Sequence, residues 1–132
     1  MFAQGALRAL MILAAVLPGS AGAAERSVLV TEADAGKEVL LALGDVLEVR
    51  LQARPGTGYR WEVRQVDTSV LEAQGGVVFK PSPSVSPGGQ VVQTLQFRTS
   101  GRGQADLGLI YIRPWERGMP PEGQFLLRVR VQ

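Results

Sequence analysis

Between residues 47 and 51, apolar Leu47, Val49 and Leu51 alternate with Glu48 and Arg50. That period of two marks a strand with one face buried and the other in water. The pattern returns where Tyr59, Trp61 and Val63 alternate with Arg60, Glu62 and Arg64, and again where Phe125, Leu127, Val129 and Val131 alternate with Gln124, Arg128 and Arg130. In a further run Val91, Leu95 and Phe97 share a face that Gln93 interrupts. Shorter apolar runs predict strands over 28–31, 39–43, 77–80 and 107–112. About eight short strands with turn residues between them, and no long amphipathic helix after the first 23 residues, predict an all-β fold built as an antiparallel β-sandwich. Gly44-Asp45 separates two runs by two residues and fits a tight hairpin, and residues 67–72 fit a single helical turn.

The first 23 residues differ from the rest. They carry one positive charge at Arg8, an apolar run from Ala9 to Leu17, then Pro18, Gly19 and Ser20 ahead of Ala21-Gly-Ala23. This is the layout of a secretory signal with cleavage after Ala23, and the apolar run is shorter than the roughly 20 residues a membrane span needs. The expected product is exported, to the periplasm or the medium. Removing 23 of the 132 residues leaves 109, the size of one domain, spanning 24–132.

Charge and composition then narrow the function. Fourteen Lys and Arg face twelve Asp and Glu, and the basic residues are spread singly, which gives nucleic acid no electrostatic footprint. The chain has no cysteine and no histidine. Its core must therefore hold without disulfide bonds, and it lacks the commonest general base and metal ligand. Glu116 and Glu122 on one loop form no convincing acid–base pair, and the acidic residues show no metal-ligand spacing. The expectation is a binding protein, monomeric, without enzyme activity or cofactor.

Three stretches break the strand pattern where a sandwich places loops at one end: Arg54-Pro-Gly-Thr-Gly-Tyr59, Ser86-Pro-Gly-Gly-Gln90 and Arg113-Pro-Trp115. Each combines Gly or Pro, which fix the backbone path, with residues suited to recognition. The prolines of 81–89 limit the backbone before binding, so less entropy is lost when a partner arrives. Trp115 follows Pro114 outside any alternating run, as an interface anchor would. Trp61 lies in register with Tyr59 and Val63, as a core residue would. Arg113 suits a scaffold role, donating its planar fork to loop carbonyls, and Gly58 and Gly88 suit positive φ.

Arg54-Pro-Gly-Thr-Gly-Tyr-Arg-Trp61, followed by Tyr111-Ile-Arg-Pro-Trp-Glu116, resembles the chagasin-like family of cysteine protease inhibitors. In that family the first loop usually reads Asn-Pro-Thr-Thr-Gly followed by Tyr or Phe, the middle loop Gly-x-Gly-Gly, and the last Arg-Pro-Trp. Pro55, Thr57, Gly58, Tyr59, Gly88, Gly89, Arg113, Pro114 and Trp115 match. Arg54, Gly56 and Ser86 depart from the pattern. The resemblance implies an immunoglobulin-like sandwich that inhibits papain-like cysteine proteases reversibly. Its three loops would fill the active-site cleft, with Pro55, Gly56, Thr57, Gly58 and Tyr59 over the catalytic centre, flanked by Pro87, Gly88 and Gly89 on one side and Arg113, Pro114 and Trp115 on the other. A rival reading is an exported sandwich module for a carbohydrate or an envelope protein, with Tyr59 and Trp115 as an aromatic platform. Loops converging into a wedge would favour inhibition, and loops framing a concave groove would favour the rival.

Overall fold

The computed structural model describes residues 26–81 and 91–132. The expected secretory signal over 1–23 and the middle loop with Pro87, Gly88 and Gly89 lie outside the described residues. Eight strands follow one another: β1 Ser27–Val30, β2 Glu38–Leu41, β3 Val46–Ala53, β4 Arg60–Gln65, β5 Leu71–Pro81, β6 Val91–Thr99, β7 Gly103–Ile112 and β8 Gly123–Val131. They form two four-stranded sheets, ordered β1-β3-β6-β5 and β2-β8-β7-β4. The alternation read from the sequence is the burial pattern observed: in β8 Phe125, Leu127, Val129 and Val131 are enclosed while Leu126, Arg128 and Arg130 face out. Between the sheets lies one apolar layer in which Leu47, Val49, Leu51, Phe97, Leu107, Leu109, Leu127 and Val129 are almost fully excluded from solvent.

Pairing directions bring together the strand ends that flank the three stretches. β3 pairs with β6, β6 with β5, β7 with β8 and β4 with β7, all antiparallel. The connections β3–β4, β5–β6 and β7–β8 therefore emerge at the same end of the sandwich. β1 and β2 do not follow the antiparallel expectation: each runs parallel to its one neighbour, β3 and β8 respectively. Parallel neighbours cannot be joined by a tight turn. Both are edge strands whose chain passes through the other sheet before their partners are made.

The same topology overturns the expected hairpin at Gly44-Asp45. β2 and β3 lie in different sheets, so this turn is a corner rather than a hairpin. Asp45 is buried, and its carboxylate accepts the Ala42 N–H at 2.8 Å and both Nε and Nη2 of Arg26 at 3.1 and 2.6 Å. Thr99 closes the corner from β6: its Oγ1 accepts the Gly44 N–H at 2.7 Å and donates to the Asp45 carbonyl at 3.0 Å. Gly44, at φ 98°, supplies the left-handed backbone this path needs.

Two other expectations are adjusted. The turn at residue 67 is real but does not extend through residue 72. Val70 and Leu71 both donate to the Asp67 carbonyl, at 3.0 and 2.9 Å, and Leu71 already begins β5. The Asp67 side chain caps the start of the turn, accepting from Ser69 N–H and Oγ at 3.0 and 2.6 Å, and the turn ends where Leu71 is buried as the first residue of β5. The strand expected over 77–80 is the second half of the longer β5, whose register slips between Gln74 and Val78, where Gly75 takes φ 71°.

At the Asp45 corner, burial opposes ionisation, but the Ala42 N–H and the Arg26 guanidinium outweigh it and hold the carboxyl below the usual aspartate range. A depressed folded-state pKa adds stability above the ordinary carboxylate range, and that contribution disappears as pH falls through the lowered value. Asp45→Asn should therefore cost about 2 kcal/mol at neutral pH. Thermal melts of the two proteins should converge as the pH is taken into the strongly acid range, and a constant gap would contradict this assignment.

Candidate functional site

The first loop is shaped by its own residues. Pro55–Thr57 form one 3-10 turn with the proline at its start, where φ is already suited and the missing N–H costs nothing. Thr57 donates twice to the Arg54 carbonyl, from N–H at 2.9 Å and from Oγ1 at 2.6 Å, and the Gly58 N–H reaches the Pro55 carbonyl at 2.9 Å. Gly58 ends the turn at φ 86°. The result is a closed tip that presents Pro55, Gly56 and Thr57 to solvent. A Cβ at Gly56 would meet nothing within 4 Å, so the bare tip is a property of the sequence and not a steric demand of the fold.

The third loop is built onto the first. Arg113 Nε donates to the Thr57 carbonyl at 2.9 Å, and its guanidinium lies over the Tyr59 ring, 4.3 Å from the centroid. Tyr59 stacks on Tyr111 with centroids 5.3 Å apart, and Tyr111 packs on Trp61 at 5.0 Å. The Tyr111 hydroxyl accepts the Arg54 N–H at 2.8 Å. Glu116 turns back towards Arg113, with 3.6 Å between carboxylate and guanidinium. Arg113 thus serves as a clamp between loops, and its flat donor fork over an aromatic face suits it to that task better than a lysine would be.

The two tryptophans differ in setting. Trp115 is 67% exposed, and one edge of its indole covers Gly58 so closely that no Cβ could be added there. Trp61 is not a full core residue as its register suggested. It packs on the rim of the core, half-buried, with its indole N–H donating to the Gln52 carbonyl at 3.0 Å. An indole N–H needs a partner when enclosed, and the strand ends beside the loops supply one. Val63, on the same face, is exposed because β4 is an edge strand whose register breaks between Val63 and Gln65.

Of the residues singled out in the sequence, Pro55, Gly56, Thr57, Gly58, Tyr59, Arg113, Pro114 and Trp115 therefore come together at one end. Tyr111, which joins the two loops, was legible only as an aromatic at a strand end. The role of Gln93 was visible only as a polar break in an apolar face. Among the described residues no cluster of three acidic side chains is placed to hold a metal ion. The first and third loops pack against each other through Arg113, Tyr59 and Trp115. A crevice of about 350 Å³ lies elsewhere, between β4 and β5, lined by Trp61, Val63, Ala73, Leu95 and Phe97.

The site is thus an all-β sandwich with two loops packed together at one end. The sequence matches the Chagasin family peptidase inhibitor I42 over residues 41–129, most of the chain, and the chain belongs to that family. Amoebiasin-2 of Entamoeba histolytica is 26% identical over 93 residues, which are 70% of this chain and 76% of that protein. The crystal structure of the cysteine protease inhibitor EhICP2 from Entamoeba histolytica superposes with a TM-score of 0.70 at 21% identity, covering 82% of this chain and 97% of that one. The solution structure of Amebosin gives 0.62 at 26% identity over 81% and 98%.

Gly58→Ala tests the contact between loops. It should cost about 1 kcal/mol or more for the left-handed backbone alone, and the Trp115 indole must also move off the first loop. The indole N–H resonance of Trp115 should shift strongly in a heteronuclear NMR spectrum while that of Trp61 barely changes. An unmoved Trp115 signal would remove the packing described here.

Proposed function

We propose that this chain is a reversible inhibitor of papain-like cysteine proteases and that it acts by filling the active-site cleft without being cleaved. The observation that carries this reading is the joining of the first and third loops through Arg113, Tyr59 and Trp115 into one pre-formed end. Membership of a peptidase inhibitor family supports it, as does the cysteine protease inhibitor named among its relatives. A rigid wedge can cover a nucleophile while offering no peptide bond in a reactive geometry. Because the first and third loops are already held together, a contact of standard size, about 800 Å² per partner, can be tight.

In this reading Pro55, Gly56 and Thr57 face the catalytic centre. Trp115 is the anchor beside them, and Pro87, Gly88 and Gly89 complete the surface from the middle loop. The protein has no catalytic role of its own, which fits a sequence without cysteine or histidine. Residues 1–23 direct export to the periplasm or the medium, where the target is met.

Residues 24–132 should inhibit papain at one-to-one stoichiometry and leave trypsin untouched, with or without reductant. Full papain activity at micromolar inhibitor would end this reading. Trp115→Ala should weaken binding by about 2 kcal/mol, chiefly through faster dissociation, with an unchanged denaturant melt. Trp115→Ala inhibiting as well as the parent protein would instead make the indole a cover for Gly58 alone.

A further inference from the structure

Gln93 breaks the apolar face of β6, and its side chain has no solvent exposure. A buried primary amide is costly unless its donors and acceptor are met. The carbonyl oxygen of Gln93 accepts the Trp61 N–H at 2.8 Å, and its nitrogen donates to the Trp61 carbonyl at 2.8 Å. Trp61 belongs to β4, in the opposite sheet, and β4 is an edge strand that among the described residues pairs with β7 alone. The Gln93 amide therefore takes the place that a neighbouring strand would fill, pairing with one peptide position on the free side of β4.

Its position relates all three loops. Gln93 lies opposite Leu51 on β3, just before the first loop, and opposite Phe79 on β5, just before the middle one. Trp61, which it holds, follows the first loop by two residues and lies opposite Tyr111, two residues before Arg113. Below this tie the edges β4 and β5 separate around the crevice of about 350 Å³. Trp61 also packs on the rim of the core and donates its indole N–H to Gln52 of β3, and the Gln93 amide adds the backbone tie to β6.

We propose that Gln93 is a positioning residue for the inhibitory surface, its amide fixing β4, and with it the first and third loops, against the sheet that carries the middle loop. This rests on the inhibitor reading above. Gln93 is enclosed and makes no contact with the protease. Without it the loops sample offsets that do not match one cleft, and the apparent affinity falls with the competent fraction.

The test compares Gln93→Leu, Gln93→Glu and a control, Val131→Ala, which removes core volume at the opposite end. Gln93→Leu should give a cooperative melt but an inhibition constant against papain raised about tenfold or more. Val131→Ala should lose stability and keep its inhibition constant. A protonated glutamic acid can accept and donate as the amide does, whereas a carboxylate cannot donate to the Trp61 carbonyl. Burial raises the pKa of the carboxyl that Gln93→Glu introduces, so this variant should inhibit like the parent at about pH 5 and lose affinity as the pH is taken up to about 9.5. Amide hydrogen exchange in the free proteins should be faster at Thr57 and Gly58 in Gln93→Leu and unchanged there in Val131→Ala. Parent-like inhibition by Gln93→Leu, or no pH dependence in Gln93→Glu, would overturn the proposal. If Gln93→Leu does not fold, the pH series of Gln93→Glu decides. If the parent protein itself leaves papain active, the inhibitor reading falls, and the exchange comparison still decides whether Gln93 sets the loops.

Discussion

Burial of the two inner sheet faces against each other is the constraint on which everything else depends. The chain has no cysteine, so no crosslink shares the task, and the apolar layer around Phe97, Leu47 and Leu127 must supply the stability of the fold. Each such side chain is worth about 1.5–3 kcal/mol when fully enclosed. That layer tolerates polar groups only where they are fully paired, and the described residues obey this rule: no buried side-chain nitrogen or oxygen is left without a partner.

Three of the enclosed polar side chains, Asp45, Thr99 and Gln93, either close a crossing between the sheets or tie one sheet to the other. Asp45 and Thr99 close the corner between β2 and β3 at one end. At the other end Gln93 joins β6 to β4 beneath the loops. Apolar packing sets how far apart the sheets lie but is nearly indifferent to small sliding. Directional bonds of this kind remove the indifference, and the Gln93 pair lies where sliding would displace the loops.

The loops themselves combine two levels of order. Within the first, a proline, a threonine and a left-handed glycine close one turn with bonds spanning only three or four residues. Between loops, Arg113 and Trp115 convert that turn and the β7–β8 connection into a single surface. Such a surface loses little freedom on binding, the condition for a tight complex from a modest contact area. This links the fold to the family to which the chain belongs.

The sequence by itself determined the strands, because a two-residue alternation such as Leu47-Glu48-Val49-Arg50-Leu51 can bury one face only as a strand. It also determined where the first and third loops break the strands, since Pro and Gly have local meanings that need no neighbours. Only the tertiary structure decided that Gly44-Asp45 is a corner, because a hairpin and a crossing share the same local turn residues and differ in which sheet receives the next strand. Tertiary contacts likewise decided the parallel edges, the place of Trp61 on the rim and the partner of Gln93. Hydrogen bonds between residues more than thirty positions apart, as between Gln93 and Trp61, leave no periodic trace in a linear pattern. The sequence shows such a pair only as an unexplained polar residue on an apolar face.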